Sequence, residues 1–203
     1  MSAALAGVEA PGRSRYTATA IAFHWTIAAL VLGLIGSGWW MTEAIRDPAR
    51  QATAFEVYQL HKAFGLCVLL LTLGRLAWRL GHRPPPLPAH MSLPERVAAH
   101  GAHVLLYGLT LAVPMLGWAV VSTSPLGFPT VPFGLFEWPH LPILRPGDDA
   151  AAVEAGFKLG HKTLAYLAAA LVALHVAAAL KHQFVDRDGL LARMLPFLGR
   201  PLA

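Results

Sequence analysis

Charge is scarce in this chain: 13% of its 203 residues are Asp, Glu, Lys or Arg, about half the share usual in a soluble domain. With 56% hydrophobic residues and a mean hydropathy of +0.52, that shortage argues against a water-soluble globular fold. The chain has one cysteine, Cys67, which excludes an intrachain disulfide and a cysteine-based metal centre. Lying mid-run among apolar residues, Cys67 reads as a small packing hydrophobe. Acids are scarcer still, 11 in all, with almost none inside the long apolar runs. A carboxylate cage for a hard cation is therefore missing from the apolar part of the molecule. Repeats and low-complexity segments are also absent, so a single domain over 1–203 is expected.

What the chain does have is length of apolar sequence. Four windows, about 17–41, 57–80, 95–122 and 157–182, are long enough to cross a hydrocarbon core of about 30 Å as helices. Arg13 and Arg15 precede a first window of full spanning length with no small-residue cleavage pattern, so the first helix is expected to be retained. The predicted fold is an all-α integral membrane protein, an antiparallel bundle of four transmembrane helices.

The net charge of +5 follows the same plan. Four crossings put the N-terminus, the connection between the second and third helices, and the C-terminus on one side. That side collects Arg13, Arg15, Arg75, Arg79, Arg83, Arg96, Lys181, Arg187, Arg193 and Arg200. The other side carries Arg46, Arg50, Lys62, Arg145, Lys158 and Lys162, offset by most of the acids. The positive-inside rule then places both termini of this multi-pass chain in the cytoplasm. Basic charge here records topology, and nucleic acid is not an expected partner.

Punctuation is clear in places. Pro84-Pro85-Pro86-Leu87-Pro88 reads as a stiff extended connector, and Ser92-Leu93-Pro94-Glu95 as a capping box opening the third helix. Pro114 is expected to kink that helix, with Gly117 adding laxity. Residues 123–154, rich in proline, glycine and aromatics, are predicted to form a compact cap on the outer, periplasmic mouth.

Histidines carry the chemistry. Fourteen residues separate His161 from His175, a rise of about 21 Å that ends about 40° short of four full turns. Both imidazoles therefore leave one helix face at two depths. His24 lies at the depth of His175, and His61 at that of His161, so depth pairs His24 with His175 and His61 with His161. Two opposed imidazole pairs without carboxylates suit two stacked bis-histidine haems. Histidines that merely bond neighbouring helices, or that conduct a metal ion, are the alternatives. Gly33, Gly36, Gly38, Gly65, Gly74 and Gly108, with Ala168 between the helix-four ligands, would leave room for flat cofactors. Arg75 and Arg79, one turn apart, are candidates to pair with haem propionates. Lys62, Lys158 and Lys162 flank the outer pair. His182 lies seven residues beyond His175, on nearly the same face. His100 and His103 are placed either at the inner site or at the interface, and His82, His90 and His140 in surface loops.

The order of these features resembles the bacterial di-haem cytochrome b561 family, specifically its superoxide oxidase type. The likeness rests on Arg15-Tyr16 with Phe23-His24-Trp25, His61 with Gly65, and Arg75 with Arg79. It continues through His100 and His103 with Tyr107, Phe133-Gly134, Lys158 with His161, Leu174-His175 with His182, and Leu191-x-Arg193-Met194-x-Pro196. The resemblance implies that His24, His61, His161 and His175 are the axial ligands of two haem b irons. It also implies electron transfer from superoxide at the periplasmic face to ubiquinone, with Lys158 matching the family pattern. For an anionic donor, Lys62, Lys158 and Lys162 would form a cationic mouth, and His182 is the candidate proton donor or hydrogen-bond partner of a bound quinone. The competing expectation is a cytochrome b subunit that docks a periplasmic redox protein, hydrogenase-like or a small cytochrome, and reduces quinone. A haem-free structural or transport protein is the third.

Overall fold

The computed structural model describes residues 15–88, 90–144 and 149–195. The tail expected before Arg15, with Arg13, and also Arg145, Asp148, Pro196 and Arg200, lie outside the described residues. Among the described residues there is no β-strand, and one isolated bridge joins Thr130 to Trp138. Four long helices dominate: α1 (Ala18–Ala44), α2 (Gln51–Gly81), α3 (Leu93–Thr123) and α4 (Ala150–Lys181). All four are long and apolar enough to span a membrane.

Two helices start well before their apolar windows. Gln51–Glu56 and Ala150–Ala155 are rich in alanine, glutamate and glutamine, and nothing in them breaks a helix. Their intrinsic propensity extends α2 and α4 beyond the apolar core; hydropathy marks where lipid would begin, not where hydrogen bonding does. The start of α1 is fixed by Thr17, whose Oγ1 accepts from the Ala20 N–H at 3.2 Å and from the Trp78 indole at 3.1 Å. One hydroxyl thus caps α1 and ties it to the end of α2. At α3, Ser92 and Glu95 exchange the two bonds of a capping box, with Pro94 in the first turn where its missing N–H costs nothing. The helix continues through Pro114, which has no N–H to give the Thr110 carbonyl.

The helices pack in chain order: α1 on α2, α2 on α3, and α3 on α4. The buried core belongs mostly to α2, through Ala54, Ala63, Leu66, Val68, Leu69 and Thr72. α4 buries no residue and hardly approaches α1 or α2. Its inner face therefore stands off from those helices, with a space between the backbones that side chains must cross.

Both ends of this space are closed. At the end bearing the termini, Arg193 donates to the Pro86 carbonyl at 2.6 Å and the Trp25 indole to the Met194 carbonyl at 2.9 Å. At the opposite end the cap is pinned to α2 and α3. Phe128 packs on Phe55 and Phe133 on Phe64. Lys62 and Gln59 donate to the Pro129 carbonyl, Trp118 donates to that of Pro139, and Ser122 Oγ accepts from the Leu141 N–H. The cap turns through Phe133 and Gly134, at φ 53° and 73°.

Candidate functional site

The space between α4 and the helices α1 and α2 is bridged by histidines. On the cap side, the His61 ring of α2 faces the His161 ring of α4, centre to centre at 6.3 Å with planes 73° apart. Toward the termini, His24 of α1 faces His175 of α4, also at 6.3 Å, with planes 70° apart. A first-row metal ion takes an imidazole nitrogen at about 2.0–2.1 Å, and that nitrogen lies about 1.1 Å from the ring centre. Two rings on opposite sides of one ion therefore have centres about 6.2–6.4 Å apart. At 6.3 Å, both pairs could hold a metal-bearing group between their rings.

Hydrogen bonding selects the free nitrogen in the cap-side pair. His161 Nδ1 lies 2.9 Å from the Val113 carbonyl, so Nδ1 carries the proton and Nε2 keeps its lone pair for a metal. His61 Nδ1 lies 3.2 Å from Ser37 Oγ, which leaves its Nε2 for the partner side. Glycines make this approach possible. A Cβ on Gly117 would come within 3.2 Å of His161 Cε1, and one on Gly38 within 3.4 Å of His61 Cε1. Gly117, expected to loosen α3, instead makes room for a ring. Gly33, Gly36, Gly65 and Gly108 would meet nothing within 4 Å, whereas Gly74 abuts Phe23. The residues therefore fit a flat metal-bearing macrocycle: opposed imidazoles with oriented rings, and glycines whose missing side chains leave room beside them.

The family model for prokaryotic cytochrome b561 matches residues 15–197. The chain belongs to the prokaryotic cytochrome b561 family. It is 34% identical over 182 residues to cytochrome b561 homolog 2 of Escherichia coli (strain K12), covering 89% of this chain and 91% of that one. It is 36% identical over 185 residues to cytochrome b562 of Cereibacter sphaeroides, covering 89% and 94%. It is 28% identical over 188 residues to a protein of Yersinia pestis named "Probable superoxide oxidase CybB", covering 90% and 96%. As a member of the cytochrome b561 family this protein is a prokaryotic multi-pass membrane electron carrier holding b-type haem.

The remaining candidates are distributed as follows. The Arg75 and Arg79 guanidinium groups both lie over the Tyr107 ring, at 5.2 and 5.7 Å. That contact holds two like charges side by side near the inner pair. Lys158 pairs with Glu154 at 3.1 Å, Lys62 donates to the Pro129 carbonyl at 2.9 Å, and no described acid pairs with Lys162. His182 contacts Asp188 and Asp186 at 2.7 and 3.0 Å. His100 bonds its own helix at Arg96, and His82 stacks on Trp78 at the end of α2.

Of two further partners, sequence reasoning left His103 open between the inner site and the interface and did not single out Ser37. His103 presents its ring edge to His175 at 5.5 Å, making the inner site a cluster of three imidazoles. Counting depth along α3 as was done for α4 places the two at similar levels, so that signal existed. Ser37, which orients His61, carried no such signal: a hydroxyl on an apolar helix more often bonds its own backbone, as Ser37 also does to Leu34.

Proposed function

We propose that this protein is a di-haem cytochrome b of the inner membrane, with both termini cytoplasmic, that carries electrons from periplasmic superoxide to ubiquinone. The observation that carries the reading is the pair of opposed imidazole couples, each 6.3 Å across, that join a helix packed mainly on α3 to α1 and α2. Between His161 and His175 the helix rises about 21 Å, which sets one couple near each edge of the hydrocarbon core. A bis-histidine b-type haem supplies one-electron redox chemistry without an open coordination position.

The chain's residues divide the remaining tasks. His61 and His161 would hold the cap-side haem, their orientation set by Ser37 and Val113. His24 and His175 would hold the inner one, with Arg75 and Arg79 clamped by Tyr107 to meet propionates. Lys62 and Lys162 keep unneutralised charge at the cap-side mouth among the described residues, which favours a small anion arriving from that side. Lys158 spends its charge on Glu154 and contributes less. His182 stands past the inner couple, where quinone reduction needs protons. The superoxide assignment draws its support from these cations and from the name of the Yersinia pestis relative.

Stopped-flow mixing of the purified, oxidised protein with superoxide tests the donor, and ubiquinone titration of the reduced protein tests the acceptor. Rapid appearance of the reduced haem spectrum followed by quinone-dependent reoxidation is expected. Reduction by a periplasmic redox protein but not by superoxide would replace the donor with a docked partner. A purified protein without a Soret band would overturn the haem reading itself.

A further inference from the structure

Beyond α4 the chain makes an irregular hook. A π-turn (His182–Asp186) leads through Arg187 at φ 52° and Gly189 at φ 71° into a short 3-10 turn (Leu191–Arg193). The left-handed region is costly for a residue with a side chain, so Arg187 holds this shape at some expense. The hook delivers one carboxylate, Asp188, whose side chain is 1% exposed. Both its oxygens are engaged: Oδ1 accepts from the Leu190 N–H at 3.0 Å, and Oδ2 meets His182 Nδ1 at 2.7 Å. The imidazole is itself only 15% exposed. No described residue bonds its Nε2.

A buried carboxylate costs several kcal/mol unless it is paired, and here a strained turn holds it against a single imidazole nitrogen. The charged groups around the pair are few. Asp186 lies 3.0 Å from the same Nδ1; Lys181 of α4 bonds Asp186 at 2.7 Å and Glu95 of α3 at 3.2 Å. His90, from the connection before α3, stands 3.8 Å from Asp188. Lysine already answers Asp186, so the charge left for His182 is that of Asp188.

We propose that His182 and Asp188 form the proton-donating dyad for the quinone, with Asp188 the residue that positions the imidazole. The inference rests on ubiquinone being the acceptor. Asp188 accepts Nδ1–H, and the proton handed over is the one on Nε2. As an electron reaches the quinone, the Nε2–H bond breaks and an O–H bond forms on the quinone oxygen. His182 is left neutral, still donating Nδ1–H to Asp188, and a proton from the aqueous side restores Nε2–H. Two such handovers with two electrons convert one quinone to quinol.

The test follows reoxidation of the pre-reduced holoprotein in lipid nanodiscs by ubiquinone at pH 7. Asp188→Asn should run at least about tenfold slower, with haem spectrum and reduction by the donor unchanged. His182→Gln should lose about a hundredfold, and Asp188→Glu, which keeps the carboxylate against Nδ1, should recover part of the rate. An Asp188→Asn rate equal to the wild type, or an Asp188→Glu variant as slow as Asp188→Asn, overturns the dyad. Wild-type protein that ubiquinone does not reoxidise overturns the acceptor itself, an outcome separate from a variant-specific failure.

Discussion

Adding one carbon at Gly117 tests whether the ring position of His161 is as constrained as the geometry requires. The new Cβ of Gly117→Ala would lie 3.2 Å from His161 Cε1 and 3.3 Å from Nδ1, inside the 3.5–4.0 Å at which carbon contacts are favourable. The ring cannot retreat freely, because Nδ1 is held by the Val113 carbonyl at 2.9 Å. Overpacking of this kind costs about 1–3 kcal/mol, and straining the hydrogen bond adds a fraction of its net worth of about 0.5–1.5 kcal/mol. Replacing a helical glycine by alanine returns about 0.5–1 kcal/mol. The balance is about 1–2 kcal/mol against holding the ring in place, or roughly tenfold weaker retention of the cap-side haem. Gly38→Ala is the internal control: its Cβ would sit 3.4 Å from His61 Cε1 and 4.0 Å from Nδ1. There the helix gain meets almost no clash, and retention should be unchanged or slightly firmer. Haem-to-protein ratio and thermal loss of the Soret band, measured on both variants, decide it. Gly117→Ala holding haem as firmly as wild type, or Gly38→Ala losing more of it, refutes the reasoning.

Three further outcomes are expected. Alanine at His61 or His161 should remove one haem equivalent and leave the other, and alanine at His24 or His175 should do the converse, read by haem stoichiometry. Gly134→Ala, at φ 73°, should lower stability by about 1 kcal/mol. Phe133→Gly should be nearly neutral, since relief of its left-handed backbone offsets the lost edge contact with Phe64 of about 0.5–1.5 kcal/mol; thermal unfolding in detergent measures both. Lys62→Gln combined with Lys162→Gln should slow reduction by superoxide several-fold at low ionic strength and make little difference at high salt, because screening removes steering.

Hydropathy located all four helices because lipid demands long apolar runs, but it missed the first turns of α2 and α4. Those turns are held by backbone propensity in polar sequence, which an apolar window does not register. The facing of His24 with His175, and of His61 with His161, was legible because helical rise converts residue number into depth. What depth does not encode is lateral placement. His103 on α3, the Tyr107 ring under Arg75 and Arg79, and Ser37 beside His61 depend on how each helix is rotated. That rotation is set by packing on α2, which no single helix reveals. The hook at Asp188 was invisible for another reason: it depends on left-handed Arg187, and sequence gives no warning that a non-glycine residue will adopt that conformation.

The standing-off of α4 bears on how such a bundle is assembled. Two hairpins, α1–α2 and α3–α4, meet along their length chiefly through the α2–α3 contact, like covers on a spine, and are tied at the ends by the cap and the C-terminal segment. A rigid macrocycle cannot thread past the cap at one end or the pinned C-terminal segment at the other. The passage left is the long seam between α1 and α4, crossed near the cap by the stacked Trp39 and Tyr166. Loading from within the bilayer would then precede closure of the covers, so cofactor supply, and not chain folding, would time the maturation of this protein.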